Sequence, residues 1–323
     1  MKIYPLCNEG FKYFSVVNSN MTSDIIFKLS PQMMIAAADE QTSDSLNEAN
    51  IVNSKLAVKG RYVALLAGNG SSTEEMMRYW NDLPKGNFYE ELNNLTKSFH
   101  EIYTNAWRGD ILSPHNLDEE EYNTGNLKNG KPISADLLKR LQNETEEYAK
   151  FEPFRGPTPR FNSEVIFGGF NEKRNDMEIY DILGSGAYVF QPNRYSVGGS
   201  GLVRTSSEIM DFIESLTPEK RDNIPLDEGL NITLKALVKS YKSPGVGGIH
   251  PSIAIIEKDS VRKLNSKQST IMRNLVFKEL KGEIEENKAK RYLEDLANEK
   301  ISTSSVVKEI SKPEDLENYG ISS

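Results

Sequence analysis

Cysteine is almost missing from this sequence: Cys7 stands alone among 323 residues. A single thiol excludes an internal disulfide framework and any zinc site built from several cysteines. Histidine is nearly as scarce, and His100, His115 and His250 lie too far apart for metal-ligand spacing. No metal or organic cofactor is expected. No uninterrupted apolar stretch outruns 33–38 (MMIAAA), far short of the roughly 20 residues that a membrane-spanning helix needs. Basic residues are outnumbered, 39 against 47 acidic, for a formal charge of −8. That balance argues against a sequence-independent nucleic-acid binder, which needs a basic face to displace phosphate counterions. The opening MKIYPLCNEGFKYFSVV has no apolar core ahead of a small-residue cleavage site. A cytoplasmic protein without a secretory leader is therefore the expectation.

What is present suits a globular chain: 37% hydrophobic and 27% charged residues, at a length for one large domain with appendages or two small ones. Two short apolar runs, 25–29 and 33–38, flank Ser30-Pro31-Gln32 and predict a β-hairpin. A second pair, 55–58 and 61–67, turns at Gly60 and ends at Gly68-Asn69-Gly70-Ser71-Ser72. There a helix is predicted to start, with Ser72 or Thr73 as cap, Glu74 and Glu75 in its first turn, and Met76, Met77, Tyr79 and Trp80 as its apolar positions. Around Leu92, Leu95, Phe99 and Ile102 the helical period is partial, and 109–132, rich in Asn, Gly and Glu, reads as an insertion or long loop. Ser134 is placed to cap a helix through Ala149.

Strand character returns at 164–168, 178–183 and 187–191, with Gly184-Ser185-Gly186 as a hairpin turn, and again at 195–197. Helices follow at 206–216 and 226–241, then a buried strand at 252–256. Residues 278–300 are dense in Glu and Lys, which reads as a solvated surface helix, and 301–323 as a polar, frayed end. Strands followed by helices in two blocks predict an α+β fold, two antiparallel sheets with helices packed outside them.

At 35–43 the string IAAADEQTS resembles a signature of proteasome subunits, in which an apolar strand enters Ala-Ala-Asp followed by polar residues and a threonine. Further pieces follow in that family's order: Asn53-Ser54-Lys55-Leu56, VALLAGNGSSTEEMMRYW, VIFGGFNE with MEIYDILGSGAYVFQ, YSVGGSGLVRTSSEIMDFIE, and PLDEGLNITLKALVKSYKSPGVGGIHPSIAII. The resemblance implies the N-terminal-nucleophile hydrolase fold, a four-layer αββα sandwich of two antiparallel sheets. It would occupy 22–260, with an insertion at about 82–162, an extension or propeptide at 1–21, and a C-terminal helical extension and polar tail at 261–323.

In that family the residue opening the first strand becomes the N-terminus after processing. Its side chain attacks an amide carbonyl while its own α-amine serves as base. Carried over, the nucleophile is Ser23 by spacing from Asp39, or Thr22 if the first strand holds one extra residue. Asp39 and Lys55 match the charged pair that tunes it, Gly68 the oxyanion-hole glycine, and Ser200 (or Gly199) the serine beside the nucleophile. Thr42 and Ser43 match the edge that pairs with an extended substrate, and Gly70 joins them as a substrate-binding position. The implied partners are a peptide or protein substrate and further copies in a homo-oligomer or ring, with neither nucleic acid nor membrane.

Three departures stand against activity. Asn20-Met21 replaces the glycine that precedes the nucleophile, Ser243 stands where a second aspartate belongs, and Val246 where a serine belongs. Removal of an initiating Met21 would expose Thr22 without self-cleavage. The resemblance therefore also allows a catalytically silent scaffold or ring subunit. Plain structural roles compete residue by residue: Asp39 as a strand end, Lys55 as a solvated strand start, Thr22 and Ser23 as ordinary strand residues. The glycines at 184–186 and 245–248 read as turn and helix-stop signals, since neither has the flanking Lys-Ser/Thr of a P-loop.

Overall fold

The computed structural model describes residues 23–39, 41–42, 51–52, 55–68, 70–148, 163–184, 186–199, 201–240 and 251–310. Strands β1 (Ser23–Ser30) and β2 (Met33–Asp39) form the predicted hairpin through Pro31-Gln32. Their neighbours are β10 (Tyr195–Gly199) on one side, and β11 (Pro251–Glu257) with β12 (Val261–Lys263) on the other. The first sheet is ordered β10-β1-β2-β11-β12, antiparallel throughout. The second runs β5-β6-β7-β8-β9: Leu56–Lys59, Tyr62–Gly68, Ser163–Asn171, Asp176–Ile182 and Tyr188–Phe190. A two-strand pair, β3 (Gln41–Thr42) with β4 (Ile51–Val52), stands apart.

Side chains alternate along a strand, and here both faces are apolar, so each sheet is covered twice. Ile26, Met34 and Ala36 from the first sheet meet Val63, Leu65, Ile166 and Ile179 from the second in one buried cluster. The sheets thus pack face to face. The opposite face of the first sheet (Ile25, Phe27, Ile35, Ile253) packs on helices, among them α5 (Leu202–Ser215), α7 (Leu226–Ser240) and α8 (Ser266–Leu280). Between α5 and α7 lies the four-residue α6 (Pro218–Arg221). The far face of the second sheet (Ala64, Leu66, Phe167, Tyr180) is covered by α1 (Gly70–Asp82), α2 (Phe88–Trp107) and α4 (Ala135–Tyr148).

Two segments depart from their polar composition. The stretch expected to be a loop at 109–132 continues from α2 through a π-helical turn (Arg108–Leu112) and a short 3-10 turn (Ser113–His115) into α3 (Glu119–Thr124). Asn87 with Glu90, and Asp118 with Glu121, close reciprocal capping boxes that start α2 and α3. Ile111, Leu112 and Leu117 are buried, which anchors the segment to the core. The charged C-terminal region is likewise part of a packed layer. In α9 (Glu286–Ala297) Tyr292, Leu293 and Leu296 are buried. In α10 (Thr303–Ile310) Val306 and Val307 are 0% exposed, so this stretch is not a frayed end. Charge on one face of each helix hid an apolar stripe on the other. Among the described residues no helix is long and apolar enough to cross a membrane.

Candidate active site

Strand register brings four of the predicted positions to one rim of the stacked sheets. Ser23 opens β1 opposite Gly199, the last residue of β10, and Asp39 closes β2 opposite Pro251. In the second sheet Lys55 immediately precedes β5, and its carbonyl accepts the Leu66 N–H at 3.1 Å. Gly68 closes β6 opposite Ser163. The two rims are joined by Glu164, whose Oε2 accepts the Gly199 N–H at 3.0 Å. Ser23, Asp39, Lys55 and Gly68 therefore share one end of the molecule. Gly70 opens α1, and Thr42 lies in β3. Thr22, Ser43 and Ser200 fall outside the described residues, as do Ser243 and Val246.

The three polar side chains among these four positions are buried: Ser23 and Asp39 are 0% exposed and Lys55 is 4% exposed. Asp39 and Lys55 each have polar partners. The Ser23 hydroxyl has none among the described residues. By strand alternation Ser23 shares the helix-facing side of Ile25 and Phe27. There it lies against Gly201, the residue that leads into α5. A Cβ built on Gly201 would fall on the Ser23 hydroxyl and 2.9 Å from Ser240 Cβ. Gly201 itself has φ −77°, so a side chain is excluded here by lack of space, not by backbone conformation.

The sequence matches no model of a known protein family and no curated protein.

Sequence reasoning missed the carboxylates behind this rim. Glu164 shares the face of Ile166, toward the interface between the sheets, and burial pushes its carboxyl up to about 7. The Gly199 N–H works against that rise, and the charge of Asp181 adds to it. Asp181 is also raised by burial, although its Oδ1 accepts the Ser196 hydroxyl at 2.6 Å. The available signal was an acidic residue inside each apolar strand, EVIFGGF and EIYDIL. Among the described residues no three His, Cys, Asp or Glu side chains are placed to hold a metal ion.

At the far end of β5 a second buried lysine behaves differently. Lys59 Nζ donates to the Trp80 carbonyl at 2.6 Å and pairs with Glu91 Oε2 at 3.0 Å. The Trp80 indole N–H donates to the same Oε2 at 2.8 Å, and the Gly86 N–H to Glu91 Oε1 at 2.7 Å. This cluster pins α1 and α2 to the sheet.

Proposed function

We propose that this protein is a divergent N-terminal-nucleophile hydrolase of the proteasome type, which cleaves amide bonds in peptides or proteins with Ser23 once the chain ahead of it is removed. One observation carries the reading: a buried hydroxyl without a hydrogen-bond partner among the described residues, at the rim that also holds Asp39, Lys55 and Gly68. A buried hydroxyl left unbonded costs free energy, so its retention calls for a use. The stacking of two antiparallel sheets between helices supports the same kinship.

In this reading, freeing Ser23 creates an α-amine with an ordinary pKa of about 7.7–8.0, half-neutral close to physiological pH. That amine takes the hydroxyl proton as the oxygen attacks the amide carbonyl, and later returns it to the leaving amine. Lys55, cationic at the same rim, favours the neutral amine by like-charge repulsion, and Asp39 holds Lys55 charged and oriented. The backbone N–H groups at the Gly68 bend stabilise the oxyanion. Assembly with further copies through the helical layers belongs to the same reading. The exposed apolar side chains of Leu202, Val203 and Met210 on α5 are consistent with it.

A silent scaffold subunit is the second reading, favoured by the complete burial of Ser23 in the intact chain. One experiment separates the two. Intact mass and N-terminal sequencing of the purified protein, followed by treatment with a peptide β-lactone, should give a chain starting at Ser23 that carries one adduct. The adduct should be absent in Ser23→Ala. A chain that keeps its first 22 residues and takes no adduct is a scaffold.

A further inference from the structure

Strand β10 is held from the opposite sheet by two carboxylates. Glu164 accepts the Gly199 N–H at 3.0 Å, and Asp181 accepts the Ser196 hydroxyl at 2.6 Å and the Gln191 side-chain amide. The approach is close: a Cβ on Gly198 would come within 3.0 Å of Glu164 Oε2. Gly199 is the register partner of Ser23 and takes φ +83°, where an L side chain is strained.

We propose that Glu164 is a positioning residue for Ser23: its carboxyl group tethers Gly199 from across the sheet interface, and the tether tightens or slackens with its protonation. The proposal rests on the hydrolase reading only in taking Ser23 as the reactive group. An ionised carboxylate is the stronger acceptor for a backbone N–H, so loss of the proton tightens the hold. Burial and the charge of Asp181 oppose ionisation of Glu164, while the Gly199 N–H favours it. Asp181 approaches from β8 and Asp24 lies on the same interface of β1, in line with Ile26. Ala67 stands opposite on β6, and β10 contributes no charge. Strands β2, β7, β8 and β11 carry no cation, and Lys28 of β1 sits at the other end, paired with Asp176 at 2.5 Å. With burial added, the carboxyl rises to about 7, which places the change of state near neutrality.

The test follows the purified protein, labelled with [15N]glycine and [13Cβ]serine, by NMR between pH 5.5 and 8.5. The Gly199 amide and the Ser23 Cβ signals should move together with a common midpoint close to 7. Glu164→Gln, which keeps an acceptor oxygen, should remove that shared component while leaving the remaining glycine signals in place. Asp181→Asn should lower the midpoint. A Gly199 signal that does not titrate overturns the proposal, and so does one that titrates while Ser23 stays still. Reaction with the peptide β-lactone, run on the same samples, should speed up several-fold more between pH 6 and 8 in the wild type than in Glu164→Gln. A wild type that takes no lactone defeats the hydrolase reading alone, because the two resonances report the tether without any turnover.

Discussion

Strand β5 has a buried lysine at each end, and the two ends teach different things. At Lys59 every polar group is answered: Glu91, the Trp80 carbonyl and indole, and the Gly86 N–H close a complete network. At the Lys55 end the rim holds a buried hydroxyl with no partner among the described residues and a half-buried carboxyl raised toward neutrality. A satisfied buried ion pair is architecture. Incomplete bonding and perturbed ionisation mark the place where chemistry is sought. Burial of a lysine alone separates nothing.

The largest expected effect lies at the architectural end. Glu91→Ala leaves Lys59 buried beside a lost counter-charge and should destabilise the protein by about 3–5 kcal/mol in urea unfolding. The double change Lys59→Met with Glu91→Leu should recover most of that loss. A cost below about 1 kcal/mol for Glu91→Ala would erase the contrast between the two ends.

Gly201→Ala should cost about 2 kcal/mol, because the new methyl group falls on the Ser23 hydroxyl. It should also suppress the β-lactone adduct, whereas Glu91→Ala, measured where it is still folded, should leave the adduct in place. Differential scanning calorimetry and mass spectrometry on the two variants read both quantities.

The pH dependence of stability comes next. Unfolded Glu164 ionises near its ordinary 4.5 but folded Glu164 only near about 7. Below the lower value both states hold the proton and nothing is lost. As pH climbs between the two values the unfolded state sheds its proton first, so stability falls, and above the upper value the loss is complete. The drop should be on the order of 3 kcal/mol, and urea midpoints for Glu164→Gln should lack this component. A native stability that instead rises across that window through Glu164 would contradict its placement.

The smallest effect is the most telling. Ser23→Ala removes a buried hydroxyl that has no hydrogen-bond partner among the described residues, so stability should change by less than about 1 kcal/mol, upward. A clear loss of stability would show that the hydroxyl is part of the architecture after all.

The sheets were legible in the sequence because short, nearly continuous apolar runs such as IIFKL and RYVALLA, bounded by turn residues, mark strands buried on both faces, and Pro31-Gln32 marks the turn between β1 and β2. Helix α7 was legible from its repeating leucines. The 109–132 segment was not, because Ile111, Leu112 and Leu117 are few among polar neighbours and the capping boxes at Asn87 and Asp118 are local signals that density of charge obscures. The helix near Ser72 starts earlier than its capping residues suggested, at Gly70. At the site, the family resemblance singled out Ser23, Asp39 and Lys55, and strand register places them at one rim. Glu164 was illegible because its significance depends on Gly199, a contact made only when the two sheets stack.

The placement of β1 also governs how the molecule comes into being. Its first strand is an interior one, flanked by β2 and by a strand that a ribosome supplies only after residue 195. The emerging hairpin must wait with both edges unpaired, β1 for β10 and β2 for β11, and sheet completion is deferred until those strands have left the exit tunnel. Such distant pairings make for slow closure and exposed intermediates, so truncation ahead of β10 should yield chains that chaperones retain.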